Sequence, residues 1–288
     1  LASELCRHAP EPFVEIHPAD AAPLEIRDGQ LTRIATHQGE AVAVAHLTDR
    51  QRRGSVFLPM HWTDVFAPEG RANPLVAARA DPRSGQPEFK HTPARVYPYR
   101  ETWRGFFLAR EPAAAEAGVV WRRIPQAACQ LHEFAGRGDA DERAAIRRRL
   151  TRAAGQDVLR YEDPATSATR EAWFDGERLD RVLFMTTGPT LPPRDWLADL
   201  FARSSLSSED RATLLIGRPP GRPLDTSPLV CACRGVRLAR IAAAIAAGAG
   251  TPDAVGEATA AGSACGSCRP ELARLIAAAL AESHLAAL

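Results

Sequence analysis

The stretch FVEIHPADAAPLEIRDGQLTRIATHQGEAVAVAHLTDRQRRGSVFLPM, residues 13–60, decides the fold class of the N-terminal region. Residues 13–16 read as extended and stop at His17-Pro18. Residues 24–26 read as a strand ahead of the Asp28-Gly29 turn, and residues 31–37 run into Gln38-Gly39. Residues 41–47 alternate apolar side chains, and residues 54–58 add a further strand. Turn signals recur at about ten-residue intervals, the pattern of a small β-barrel or sandwich. From His61 to Pro93 the chain becomes irregular and proline-rich, yet it keeps Trp62, Phe66 and Phe89. Long irregular segments that retain aromatics are functional more often than disordered.

Working outward, residues 100–225 read as mixed. A charged helix is expected over 139–154, a hairpin over 170–184 around Asp175-Gly176, and helices over 194–202 and 208–216. GRPPGRPLDTS at 217–227 is a Pro/Gly-rich spacer and a plausible boundary. Beyond it, everything except the cysteines reads as helical. Helices are expected over 236–247, from Pro252 to Gly262 behind a Thr251 N-cap, and over 270–285. The expected domains are therefore 1–99, 100–225 and 226–288.

The composition excludes some classes of function. The chain has 288 residues, 45% of them hydrophobic, and a formal net charge of +1. So even a balance offers no cation excess to displace phosphate counterions, which argues against nucleic acid. No apolar run reaches the ~20 residues of a membrane span, and no signal peptide is legible. A cytoplasmic location is expected. Lysine occurs once, at Lys90, while arginine supplies every other cation. A lysine that survives such a bias suits a role needing a compact ammonium, although chance survival explains it equally well.

Six cysteines are present. Cys6 and Cys129 stand alone and read as small buried hydrophobes. The others form Cys231-x-Cys233 and Cys265-x-x-Cys268, and close pairs in a chain of this size point to metal rather than disulfides. Both pairs are expected at helix starts, where free N–H groups and the positive helix end favour an anionic thiolate site. Arg234 and Arg269 follow the pairs. Structural zinc is the alternative, but its usual knuckles are spaced differently, so the spacing favours iron–sulfur.

PLVCACRGVRLARIAAAIAAG (228–248) and AAGSACGSCRPELARLI (260–276) resemble the [2Fe–2S] domain of the bacterioferritin-associated ferredoxin family. The resemblance implies one [2Fe–2S] cluster on Cys231, Cys233, Cys265 and Cys268. PEPFVEIHPADA, RGSVFLPMHWTD and NPLVAARADPRSGQPEFKHTPARV, within residues 10–96, resemble the C-terminal dinucleotide-binding domain of molybdopterin oxidoreductases, above all of prokaryotic assimilatory nitrate reductases. That resemblance implies a multidomain α+β protein. Its parts would be an N-terminal double-psi β-barrel, a mixed connector and a small all-α C-terminal [2Fe–2S] domain.

The resemblance further implies contacts from Met60, His61, Trp62, Asn73 and Lys90 to a molybdenum bis(molybdopterin guanine dinucleotide) cofactor shared with upstream domains. Each has a plainer reading: Asn73-Pro74 suits a turn, Trp62 a core, and His61 a structural hydrogen bond. Asp81, Pro82 and Gln86 are expected to shape the loop. The family's upstream cluster motif and molybdenum ligand have no counterpart among these residues, so a C-terminal portion of a longer enzyme is expected. That enzyme would reduce nitrate to nitrite, with electrons supplied by a ferredoxin or an NADH-dependent flavoprotein. A formate dehydrogenase-like enzyme, a non-catalytic electron-transfer module and a zinc-stabilised interaction domain are the rival readings.

Overall fold

The structure, a computed structural model, describes residues 9, 11–114, 118–152, 157–188, 191–221, 225 and 227–286. Cys6 lies outside the described residues, as do parts of the 217–227 spacer. The chain divides into two compact units, one being Glu11–Pro220 and the other holding Gly221–Leu288.

In the first unit, β1 (Phe13–Ile16), β2 (Leu31–Ala35), β3 (Glu40–Leu47), β4 (Val56–Phe57) and β5 (Arg95–Pro98) form a five-stranded sheet in the order β4-β1-β3-β2-β5. The pair β1–β3 is parallel and the other pairs are antiparallel. Alternation does the sorting. Val14 and Ile16, Ile34, and Ala41, Ala43 and Ala45 all turn inward, onto Ala21, Ile26 and Leu75. The Asp28-Gly29 turn forms as expected. Gly29 takes a φ of +75°, and the Asp28 carboxylate accepts the Leu47 N–H at 2.8 Å. The pairings run in an open row, and none found among the described residues joins β4 to β5 as closure into a barrel would require.

Residues 24–26 do not form a strand. Pro18 opens a short helix, α1 (Pro18–Ala21), whose N-cap His17 accepts the Ala19 N–H through Nδ1 at 3.0 Å. Pro23 then fixes a 3₁₀ turn over Ala22–Leu24, which ends in a left-handed Glu25. Two prolines with helical φ outweigh a three-residue apolar pattern.

Residues 100–220 build a second, antiparallel sheet. Its strands are β6 (Trp103–Ala109), β7 (Val120–Pro125), β8 (Gln130–Gly136), β9 (Val158–Asp163), β10 (Ala168–Asp175) and β11 (Arg178–Thr186), in the order β7-β8-β6-β11-β10-β9. The expected hairpin is the pair β10–β11. Helix α2 (Ala140–Thr151) covers one face, placing Ile146 and Leu150 among Trp103, Phe107, Trp121, Phe134 and Trp173. Helices α3 (Asp195–Leu200) and α4 (Ser208–Leu214) cover the other, against Phe106, Leu108, Leu131 and Phe184. A strand buried on both faces reads as a continuous apolar run, and β6 is one. Gly105 is obligatory there, because a Cβ would stand 2.5 Å from the Phe134 ring and 2.6 Å from the Phe184 carbonyl oxygen. The two sheets share a cluster of Leu31, Val44, Tyr99, Val120 and Ala135.

His132 on β8 is fully buried. Its Nε2 accepts the Ala113 N–H at 3.1 Å, and Nδ1 faces the Phe107 carbonyl at 3.4 Å, which requires the neutral Nδ1–H tautomer. Burial pushes its pKa from 6.5 down to about 4. The unfolded chain therefore takes up the proton first as pH falls. Stability is full above about pH 6.5 and is lost towards pH 4, by up to about 3 kcal/mol. Urea unfolding at pH 7, 5.5 and 4.5 should show this slope, and His132→Asn should flatten it. Parallel slopes in the two proteins would refute the assignment.

Candidate metal centre

In the second unit, β12 (Leu229–Cys231) pairs antiparallel with β13 (Val236–Arg237). This domain is therefore not all-α. Val230 and Val236 favour extended backbone, and Gly235, at φ +65°, lets the chain reverse between them. Three helices follow: α5 (Leu238–Ala246), α6 (Pro252–Thr259) and α7 (Arg269–Ala286). Thr251 caps α6 as expected, accepting the Ala254 N–H at 3.2 Å.

The hairpin and the 260–268 loop bring the two cysteine pairs together. Cys231 Sγ lies 3.7 Å from Cys233 Sγ, and Cys233 Sγ lies 3.5 Å from Cys265 Sγ. Cys268 joins Cys231 and Cys233 in the same buried cluster. Two thiolates on one tetrahedral metal about 2.3 Å away stand about 3.8 Å apart, so these separations suit ligation. Cys231, Cys233 and Cys268 are buried among Val236, Ile241, Val255, Leu272 and Ile276, while Cys265 is half-buried. All four are free thiols.

Only the second pair stands at a helix start, with Cys268 immediately before α7. Cys233 is separated from α5 by a 3₁₀ turn and β13, because the hairpin intervenes. The expected N–H support comes from loop backbone instead. Gly262 N–H serves both Cys231 and Cys268, Arg234 N–H serves Cys231, and Cys265 N–H serves Cys233. Gly262 can do so because its φ of +75° aims the amide inward, and a Cβ there would crowd Leu272 at 3.3 Å. Thr259 fixes the preceding turn by accepting the Ala261 N–H at 3.1 Å.

Burial alone would raise the Cys231 pKa, but the Gly262 and Arg234 amides and the neighbouring thiols hold it below its ordinary value. Burial, with Cys231 beside it, pushes Cys268 up to about 11. Four convergent thiols with N–H donors around them match the donor set of an iron–sulfur cluster. Arg269 is held by Asp253 at 2.7 Å. Gly262 and Ser267, whose hydroxyl lies 3.3 Å from Cys265 Sγ, have a part in this site that spacing alone did not reveal.

The residues expected at the dinucleotide are more dispersed. Met60 and His61 are exposed, and Trp62 is half-buried with its ring edge-on to Phe13 at 6.4 Å. Asn73 is exposed at the head of the 3₁₀ turn Asn73–Leu75. The turn rests against the Gln38-Gly39 hairpin, where the Thr36 hydroxyl donates to the Leu75 carbonyl at 2.8 Å. Lys90 is exposed, and its backbone N–H donates to Glu88 at 2.5 Å. Among the described residues, no hydrogen bond or ring contact joins these five to one another. Asp81 does shape its loop, accepting the N–H of Arg83 at 3.0 Å and of Ser84 at 2.8 Å. Cys129 is buried, as expected, and its pKa is pushed up to about 12 by burial.

Residues 2–93 match the Molydopterin dinucleotide binding domain family, and residues 229–278 match the BFD-like [2Fe-2S] binding domain family. The chain is 35% identical to a nitrate reductase of Klebsiella oxytoca over 279 residues, 97% of this chain and 32% of that protein. It is 38% identical over 86 residues to the F420-dependent formate dehydrogenase 1 subunit alpha of Methanococcus maripaludis, 30% of this chain and 12% of the relative. The assimilatory nitrate reductase catalytic subunit of Bacillus subtilis is 34% identical over 88 residues, 31% of this chain and 12% of that protein. The chain thus spans about a third or less of the length of these relatives.

Residues 2–93 thus match a molybdopterin dinucleotide-binding domain and residues 229–278 match a [2Fe–2S]-binding domain. Along nearly its whole length the chain is similar to the Klebsiella oxytoca nitrate reductase.

Proposed function

We propose that the chain is the C-terminal part of a molybdenum-dependent assimilatory nitrate reductase, reducing nitrate to nitrite by two-electron oxygen-atom transfer. The observation that carries this reading is the similarity to the Klebsiella oxytoca enzyme over 97% of the chain, which takes in the six-stranded sheet formed by residues 103–186. The formate dehydrogenase subunit matches over 30% of the chain, a dinucleotide domain's worth, and so supports the family more than the substrate. A cytoplasmic location fits this reading, and no described helix is long and apolar enough to cross a membrane.

The cofactor is proposed to be the bis(molybdopterin guanine dinucleotide) form, which supplies the metal that exchanges oxygen with the substrate. This chain's part is to hold the dinucleotide. Asn73 and Lys90 are exposed, and their side chains make no hydrogen bond within the described residues, so both are free to meet a ligand that combines phosphate with amide edges. Met60, His61 and Trp62 would line the same ligand. Cys231, Cys233, Cys265 and Cys268 would hold the cluster through which electrons arrive from a ferredoxin or an NADH-dependent flavoprotein.

The deciding experiment assays the complete enzyme with reduced viologen on nitrate and, separately, with formate and an acceptor dye. Nitrate reduction alone supports the proposal, and formate oxidation without nitrate reduction overturns it.

Lys90→Ala in the same enzyme should weaken dinucleotide retention tenfold or more, since a charge-assisted hydrogen bond contributes about 1.5–3 kcal/mol. Lys90→Arg should restore part of the loss, keeping charge but not the compact head. Guanine nucleotide released on denaturation measures both. Equal release from wild type and Lys90→Ala removes Lys90 from the site.

A further inference from the structure

Cys265 differs from the other three thiols in two ways. It is the half-buried one, and it has a side-chain hydroxyl as a neighbour, with Ser267 Oγ 3.3 Å from Cys265 Sγ. In the free thiol either atom can donate. A metal-bound thiolate has no proton, so only the hydroxyl can donate once a cluster is held. The geometry is locally fixed. Gly266 bends the loop at φ +74°, its carbonyl accepts the Arg269 N–H at 3.0 Å, and Cys268 enters α7 directly behind.

Hydrogen bonds to cluster sulfurs help set reduction potential, because they drain negative charge from the sulfur and so favour the reduced form, the more negative of the two. Backbone amides already serve Cys231, Cys233 and Cys268. Those donors are fixed by the fold and independent of side-chain identity. Ser267 is the donor that a single substitution can remove.

We propose that Ser267 is a potential-setting residue, whose hydroxyl donates to the Cys265 thiolate and makes the [2Fe–2S] cluster easier to reduce. This rests on the reading of the four cysteines as cluster ligands. The reaction concerned is a one-electron reduction of the cluster by an outside donor, with no bond made or broken in the protein. Ser267 is a positioning residue: it acts through Cys265 and touches no substrate.

The test is a redox titration of the full 288-residue chain with its cluster reconstituted from iron and sulfide, followed by visible absorbance. Ser267→Ala should lower the midpoint so that, at the wild-type midpoint, the reduced-to-oxidised ratio falls about tenfold, equivalent to 59 mV for a one-electron couple. Ser267→Thr should keep the hydroxyl and titrate close to wild type. Should the Ala chain fail to retain iron, Ser267→Gly removes the same hydroxyl and is expected to show the same lowering.

A chain lacking the hydroxyl that titrates with wild type, or at a higher potential, overturns the role of Ser267 while leaving the cluster reading intact. Failure of the wild-type chain to take up iron and sulfide in equal amounts overturns the reading on which it rests.

Discussion

Cys265→Ser in the complete enzyme is expected to abolish the brown [2Fe–2S] chromophore while leaving the molybdenum cofactor in place. The thiols make one cluster of contacts, with Cys233 3.7 Å from Cys231 and 3.5 Å from Cys265, so removing one ligand leaves an open coordination position beside three buried sulfurs. A serine hydroxyl is a harder, more weakly acidic ligand and does not replace a thiolate. On the proposed function, nitrate reduction driven by the natural protein donor should then fall to background. Reduction driven by a small artificial reductant that reaches another centre should largely persist. Equal loss of both activities would assign the cluster a structural task instead. Analysis of the wild-type chain should give about two iron and two inorganic sulfide; stoichiometric zinc without sulfide would remove the cofactor assignment altogether.

The second large effect is expected in the six-stranded sheet. Glu171 on β10 is fully buried, yet it carries a carboxylate held by Arg147 of α2 and by Arg160 of β9. The Arg147 Nε donates to Oε2 at 3.0 Å, and the Glu171 carboxylate holds the Arg147 guanidinium above its ordinary pKa. Arg147→Ala strips most of that compensation from a charge that water cannot reach, and should destabilise the Glu11–Pro220 unit by about 3–5 kcal/mol. Arg160 is half exposed, so Arg160→Ala should cost less than about 1 kcal/mol. The double replacement Glu171→Leu with Arg147→Leu should recover most of the stability, because no unpaired charge is left behind. Urea unfolding followed by circular dichroism measures all three variants. An Arg147→Ala chain within 1 kcal/mol of wild type would show that Glu171 finds another partner.

The strands β2 and β3 and the hairpin β10–β11 were legible in the sequence because alternating side chains and Asp-Gly turns are local signals. The continuous run in β6 shows a strand whose two faces are both covered, a fact that lies in the distant residues Ile146 and Leu197 rather than in the run itself. Residues 24–26 misled because two prolines govern φ regardless of apolar pattern. At the candidate metal centre, the four cysteines that come together were legible from pair spacing. The hairpin was not: two strands of three and two residues carry almost no periodic signal. The backbone amides that serve the sulfurs have no sequence signature beyond a glycine, and Gly262 reads equally as a helix stop. Met60, His61, Trp62 and Lys90 lie on irregular backbone and Asn73 opens a single 3₁₀ turn, and the path of such segments depends on packing between parts remote in sequence.

Leu31 and Val44 of the first sheet and Val120 and Ala135 of the second fill one shared volume around Tyr99. These positions consequently form a single unit of inheritance. A larger side chain at Ala135 must be answered by a smaller one at Leu31 or Val44, so such exchanges persist only as compensated pairs. A chimera that takes residues 100–220 from one relative and the dinucleotide-binding sheet from another would bring together two histories of compensation. The mismatch would fall at this seam between the two sheets.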